Sequence, residues 1–355
     1  MMNERVIAEI NLSNLTHNIN LLKSKSTNLI VMVKGNAYGH GLCGIGKHID
    51  QLNITIGVAS MSEGIALRQA GVISDIIVFS GFYSKQHELE LIQHNLIPVV
   101  HSLYQISLLE NYLKKASSHV WLKYNTGMNR LGFSKDELLS AYKQLAEIKH
   151  IKINLLTHLA EADLNDKQFT YYQVTQFNEL LNSGDFHLSS CYNSAGTLSH
   201  PNNYHVNRSG IAAYGISTLE NSSLSKNLKP VMTLKSQIIS IQRINDGDYI
   251  GYNRTYKAPC KQTIAIIPVG YGDGYPQITP NGTPALINGE IAPVCGRVSM
   301  DLMSVDISNI PSANIGSEVI LFGDGLPAEE VAKTINISPY ALVTCLTQRV
   351  PRCYV

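Results

Sequence analysis

The chain has 355 residues, 44% hydrophobic and 15% charged, with a formal net charge of +1. That length suits two domains, or one large barrel with an addition, and near-neutral charge without a basic run speaks against nucleic acid and anionic membrane as partners. No apolar run approaches membrane-spanning length, the N-terminus lacks a signal-peptide core, and six scattered cysteines without C-x-x-C fit reduced thiols in a cytoplasm rather than disulfides or a zinc site.

Residues 29–33 are a short apolar, β-branched run that reads as a buried strand. Lys34 follows at its end, and Gly35, Asn36, Gly39 and Gly41 make a turn-rich loop. Burial favours the neutral amine of a lysine, and a neutral amine can attack an aldehyde to form an imine. The plain alternative is a surface lysine just past a strand. Gly39 to Gly44 also fit G-x-G-x-x-G, with Glu63 near the distance of a ribose-binding acid. A dinucleotide fold, however, places its glycines directly after the strand, and here Lys34 to Tyr38 intervene.

Further strands are expected at 55–59, 75–79, 97–100, 120–123, 151–157, 188–191 and 205–211. Helical patterns lie between them at 63–70, 85–94, 103–114, 135–147 and 167–181. Strand-then-helix alternation implies a parallel sheet. Eight such strands suggest a closed (β/α)8 barrel, with an open doubly wound sheet as the alternative. In a barrel, chemistry sits just after the strands. Lys34, His101, Lys123, His158, Asn193, Ser194 and Arg208 occupy such positions. A single histidine after a strand is more often structural than catalytic; polar residues at several converging strand ends read as a site.

After about Asn227 the character changes. Residues 229–249 alternate Val, Ile, Thr and Ser, and turn signals recur at Asn281-Gly282, Asn288-Gly289 and 323–325. Only 327–335 and 339–348 look helical. The expected organisation is therefore a barrel over 1–227 and a mostly β domain over 228–355.

Nine short motifs then carry a resemblance: V-M-V-K-G-N-A-Y-G-H-G (31–41), W-L-K-Y-N-T-G-M-N-R-L-G-F (121–133), T-H-L-A-E-A-D (157–163), N-S-A-G-T (193–197), N-R-S-G-I-A-A-Y-G (207–215), I-G-Y-N-R-T-Y (250–256), I-P-V-G-Y-G-D-G-Y-P (267–276), G-R-V-S-M-D (296–301) and R-V-P-R (349–352). Together, and in this order, they resemble the alanine racemase family across nearly the whole chain. That family's fold is a (β/α)8 barrel followed by a β-rich domain.

The resemblance implies the following roles. Lys34 matches the lysine that holds pyridoxal 5′-phosphate as an imine, an electron sink for a carbanion at Cα, and it serves the D-enantiomer as a base. Tyr252 matches the second acid/base, serving the L-enantiomer and supplied by the other subunit of a homodimer. Arg208 matches the arginine facing the pyridine nitrogen; because arginine stays protonated, it limits the carbanion's lifetime and so suppresses transamination. Tyr38, Ser194, Gly210 and Ile211 match the phosphate contacts, and His158 matches a histidine near the ring. Arg130 matches a residue contacting the phenolic oxygen and the substrate carboxylate. Lys123 matches a lysine that is often carbamylated. Tyr271, Met300 and Asp301 match residues at the mouth of the substrate site and in its partner half. This chain departs from the pattern at Asn125, where relatives commonly have Asp, and at Gln348, where some place a tyrosine near the phosphate.

The expected activity is interconversion of L- and D-alanine by two-base proton transfer in a cytoplasmic homodimer, supplying D-alanine for peptidoglycan. The alternatives are a broad-specificity or serine racemase, a decarboxylase, a non-catalytic pyridoxal-phosphate carrier lacking the β domain, and the dinucleotide oxidoreductase of 39–44.

Overall fold

The computed structural model describes residues 4–115, 118–201, 203–219 and 225–355. Eight parallel strands build the first domain: β2 (Asn28–Met32), β3 (Thr55–Val58), β4 (Ile76–Val78), β5 (Leu96–Val100), β6 (His119–Lys123), β7 (Lys152–Leu156), β8 (Ser189–Ser190) and β9 (Val206–Ser209). The sheet order is β8-β7-β6-β5-β4-β3-β2-β9. It closes where the Arg208 N–H donates to the Tyr192 carbonyl at 3.0 Å and the Ser190 hydroxyl donates to the Val206 carbonyl at 2.6 Å. The barrel is thus closed, not an open doubly wound sheet. Its strands are buried over nearly their whole length, as a sheet covered by helices requires.

Helices begin where the side chains allow. Ser60 and Ser134 open Met61–Gln69 and Lys135–Ala146 with reciprocal capping boxes to Glu63 and Glu137. The expected helix over 103–114 instead stops at Leu108 and resumes as a short 3-10 turn at Tyr112–Lys114. The buried Glu88 carboxylate accepts the Asn111 and Tyr112 N–H groups, at 2.6 and 3.0 Å, and draws them off the helix axis. Helices at Leu12–Lys23, Leu42–Gln51 and Ser194–Ser199 were not among the sequence expectations.

The second domain is mostly β. Its strands are β10 (Met232–Gln237), β11 (Ser240–Ile244), β12 (Tyr249–Ile250), β13 (Tyr256–Lys257), β14 (Gln262–Ile267), β15 (Pro284–Ile287), β16 (Glu290–Pro293), β17 (Met303–Asp306), β18 (Glu318–Phe322) and β19 (Arg352–Tyr354). They form sheets of six, three and two strands. The six-stranded sheet, in the order β16-β15-β18-β10-β1-β19, includes β1, Val6–Ile10. This corrects a barrel drawn over 1–227: β1 pairs antiparallel with β10 and parallel with β19. Its alternating burial explains the placement, since Val6, Ala8 and Ile10 fill the β-domain core. Among the described residues, no helix is long and apolar enough to cross a membrane.

Candidate active site

The C-terminal ends of the barrel strands enclose a cavity of about 360 Å³. Lys34, Tyr38, Lys123, Arg130, His158, Ser194, Arg208, Gly210 and Ile211 all line it. Five separate strands, β2, β6, β7, β8 and β9, bring these side chains within reach of one small molecule. Four of the nine are lysines or arginines, and no aspartate or glutamate lines the wall. Cations in such proximity repel, so the cavity favours an anionic occupant.

Lys34 stands at the end of β2. Burial, with the Arg130 guanidinium second, holds its pKa below the ordinary lysine value; Glu63 acts in the opposite sense. Lys123 is lowered to about 8 by burial and then by Arg130, Arg208 and Lys34. Arg208 is buried, and burial brings it down to about 10, so it keeps its charge at neutral pH. Its guanidinium is fixed from below: Nη1 donates to the Ser190 carbonyl at 2.9 Å and hydroxyl at 2.7 Å, and Nη2 donates to the Thr157 carbonyl at 2.5 Å. Among the described residues no carboxylate pairs with it. His158 lies 3.4 Å from Nη2, and burial followed by the Arg208 charge keeps its imidazole neutral.

A cradle of donors occupies one end. Ser194 opens the helix Ser194–Ser199, which Asn193 caps by accepting the Gly196 N–H at 3.0 Å. The Ser194 hydroxyl accepts the Gly210 N–H at 2.9 Å and the Ala212 N–H at 3.4 Å. Gly210 is required sterically, because a Cβ there would lie 2.2 Å from the Tyr38 phenol oxygen. Two backbone donors, a hydroxyl and a phenol therefore converge where only glycine fits. Burial raises the Tyr38 phenol above its usual range, so it stays a neutral donor.

The loop after Lys34 has an unusual backbone. Gly35, Asn36, Ala37 and Tyr38 have φ of 62°, 55°, 53° and 51°, one turn of left-handed helix. For a non-glycine residue this costs roughly 1–2 kcal/mol. Glu63 helps to hold it: Oε1 accepts the Gly35 N–H at 2.8 Å while Oε2 accepts the Ala59 N–H at 2.8 Å and the Ser60 N–H at 3.1 Å. Glu63 is thus a brace between two strand ends and not a ribose ligand. The glycines of 39–44 are likewise occupied from within: a Cβ on Gly39 would lie 1.9 Å from the Val343 carbonyl, and one on Gly41 or Gly44 would lie 2.1 Å from the Tyr354 phenol. That packing overturns the dinucleotide reading.

Tyr340 also lines the cavity, and sequence reasoning missed it. It comes from the helix Pro339–Thr344 of the β domain, its ring centroid 6.0 Å from that of Tyr38. Burial pushes its phenol up to about 12. Tyr340 lies eight residues before Gln348, and only tertiary packing brings it to the cavity. Asn193 was noted as a strand-end residue and does line the wall, whereas His101 does not. Asn125 shapes the turn before Arg130, its Oδ1 accepting the Gly127 and Asn129 N–H groups at 3.2 and 3.0 Å.

The remaining expected residues lie elsewhere. Tyr252, Tyr271, Met300 and Asp301 belong to the β domain, and none lines the barrel cavity. Tyr252 is 70% exposed and Met300 52% exposed. Tyr252 borders a separate groove of about 390 Å³ with Arg297, Ser299 and Leu302. Asp301 pairs with Arg349 at 2.5 Å.

Sequence models of the alanine racemase N-terminal and C-terminal domains match residues 10–218 and 231–354. The chain belongs to the alanine racemase family. It is 41% identical to alanine racemase of Coxiella burnetii, covering 98% of each chain. The crystal structure of biosynthetic alanine racemase from Pseudomonas aeruginosa superposes with a TM-score of 0.94 at 33% identity, covering 99% of both chains. Alanine racemase from Bartonella henselae with covalently bound pyridoxal phosphate superposes with a TM-score of 0.90 at 28% identity, covering 99% of both. As a member of this racemase family with both of its domains, the chain is an isomerase and does not fit a carrier lacking the β domain.

Proposed function

We propose that the chain interconverts L- and D-alanine with pyridoxal 5′-phosphate on Lys34, as a cytoplasmic homodimer supplying D-alanine for peptidoglycan. The observation that carries this reading is the wall of Lys34, Lys123, Arg130 and Arg208 without a carboxylate, beside a glycine-lined donor cradle. The cradle suits a phosphate: Tyr38, Ser194 and the N–H of Gly210 supply donors, with Ile211 and Tyr340 closing the sides. When bound, the cofactor supplies an electron sink that acidifies the Cα–H of an amino acid. Arg208 would hold its pyridine side and His158 would pack beside it. Because an arginine held by the Ser190 and Thr157 carbonyls does not readily give up a proton, Arg208 would restrain side reactions.

Lys34 moves the proton on one face of Cα. Its pKa is lowered, first by desolvation and then by the Arg130 charge, which favours the neutral amine that can accept a proton. Arg130 orients the substrate carboxylate. Lys123, partly neutral near pH 8, can add carbon dioxide and release a proton, giving a carbamate that neutralises Arg130. Tyr252 of a second copy serves the opposite face, with Tyr271, Met300 and Asp301 of that copy closing the mouth. The exposure of Tyr252 in one chain supports this assignment.

The deciding experiment incubates the protein with pyridoxal phosphate and L-alanine in deuterated water. D-alanine carrying deuterium at Cα is expected. Exchange in serine with none in alanine would favour the serine racemase reading, and no exchange in any amino acid would defeat the proposal.

A further inference from the structure

We propose that Arg352 and Tyr354 of β19 are positioning residues for Lys34: they lock the left-handed turn that presents Lys34 and Tyr38 to the cavity. The inference rests on the assignment of Lys34 above. Neither residue lines the cavity, so both act through the backbone between them and it.

Arg352 is anchored in the β domain, where its guanidinium donates to the carbonyls of Thr347 at 2.6 Å, Val350 at 2.7 Å and Leu346 at 2.9 Å. Its remaining Nε–H crosses to the turn and donates to the Gly39 carbonyl at 2.9 Å. The Tyr354 hydroxyl donates to the His40 carbonyl at 3.2 Å, with Gly41 at 3.4 Å. The Tyr354 ring fills the space left by the missing side chains of Gly41 and Gly44. Gly39 and Gly41 are themselves left-handed, with φ of 85° and 100°.

This is a clamp with two jaws. Glu63 grips the start of the turn from the barrel, and Arg352 and Tyr354 grip its end from the β domain. Inside, the His40 imidazole, wholly buried, has Nδ1 at 2.9 Å from the Tyr38 carbonyl and 3.1 Å from that of Ala37. A turn of strained residues persists only where its surroundings over-determine it. Releasing one jaw lets residues 35–38 relax, which moves the Lys34 amine and the Tyr38 phenol together. Misplacement of reacting groups by about 1 Å costs up to about 100-fold in rate.

The test uses the full chain with Tyr354→Ala, Tyr354→Phe and Arg352→Ala. The first readout is the rate at which Lys34 in cofactor-free protein reacts with an amine-directed reagent across pH, followed by peptide mass spectrometry. For Tyr354→Ala the labelling curve is expected to move toward that of an ordinary lysine, and pyridoxal-phosphate affinity to fall about 10-fold. In the loaded enzyme kcat falls about 10-fold or more while the KM for alanine changes less than about twofold. Tyr354→Phe, which keeps the ring and loses the hydroxyl, is expected to lie between.

Wild-type labelling, affinity and kcat in folded Tyr354→Ala and Arg352→Ala would overturn the proposal, as would a lowered melting temperature alone. Should both alanine variants fail to fold, Tyr354→Phe decides by the same readouts. A shifted labelling curve in a protein whose wild type exchanges no amino acid would keep the clamp and defeat the racemase reading. An active wild type with an unshifted curve would do the reverse.

Discussion

Lys34 and Tyr252 are assigned the same task, moving one proton at one carbon, yet one lines a cationic cavity and the other borders a separate open groove. Lys34 lines the cavity mouth beside Arg130 and Arg208, follows a strand end braced through the Gly35 N–H by Glu63, and has a lowered basicity although its own surface is open. Tyr252 stands on an open turn of the β domain, mostly in water. On the proposed assignment, the contrast means that one chain lines the binding chamber with one base and carries the other base away from it.

The sharpest way to break this contrast is to remove each base alone. Lys34→Ala is expected to lower kcat/KM by about 10,000-fold or more, and Tyr252→Phe by about 100- to 10,000-fold. Each variant alone keeps at most about 1% of the activity, but mixing them with subunit exchange should restore about a quarter of it, since half of a random population would be mixed dimers with one intact site. No recovery in mixed dimers would place both bases in one chain and erase the contrast.

Smaller effects probe the chamber alone. Gly210→Ala sets a Cβ against the Tyr38 phenol, and the displaced donor should weaken pyridoxal-phosphate binding about 10- to 100-fold, read by equilibrium titration. Inorganic phosphate should stabilise cofactor-free protein through the cationic wall, by about 2.7 kcal/mol at 100 times its dissociation constant. Ser194→Ala should weaken that response in a thermal-shift assay.

Lys123 probes the chamber through pH. Its folded pKa of about 8 lies below the ordinary value of 10.5, so the unfolded chain binds more protons between the two. Stability of the cofactor-free, carbon-dioxide-free protein therefore rises with pH across that window, by up to about 3 kcal/mol from this group. Denaturant titrations comparing wild type with Lys123→Met should show the variant lacking that gain. If carbon dioxide abolishes the difference, Lys123 carries a carbamate; native mass spectrometry gives the same answer directly.

Much of the barrel was legible because its strands are continuous apolar runs ended by polar residues, and both features are local. The nine barrel residues assigned to the site fall together for that reason: each sits just past a strand or at its end. Long-range features were not legible. β1 alternates too briefly to announce a partner in the other domain. Tyr340 reaches the cavity only because its helix packs over the barrel. Glu63 had a local signal, the S-x-x-E of Ser60 to Glu63, which marks a helix start. The left-handed turn had none beyond glycines that also suit a phosphate loop, since its conformation is imposed from both domains.

The pairing of β1 with β10 and β19 also has a bearing on synthesis. Val6–Ile10 leaves the ribosome long before either neighbour exists. At about 5–20 residues per second, Met232 follows some ten to forty-five seconds later. Until then an apolar strand with open edges must be kept from pairing with other chains, so nascent protein should depend on chaperones through that interval, while the barrel behind it is already closing.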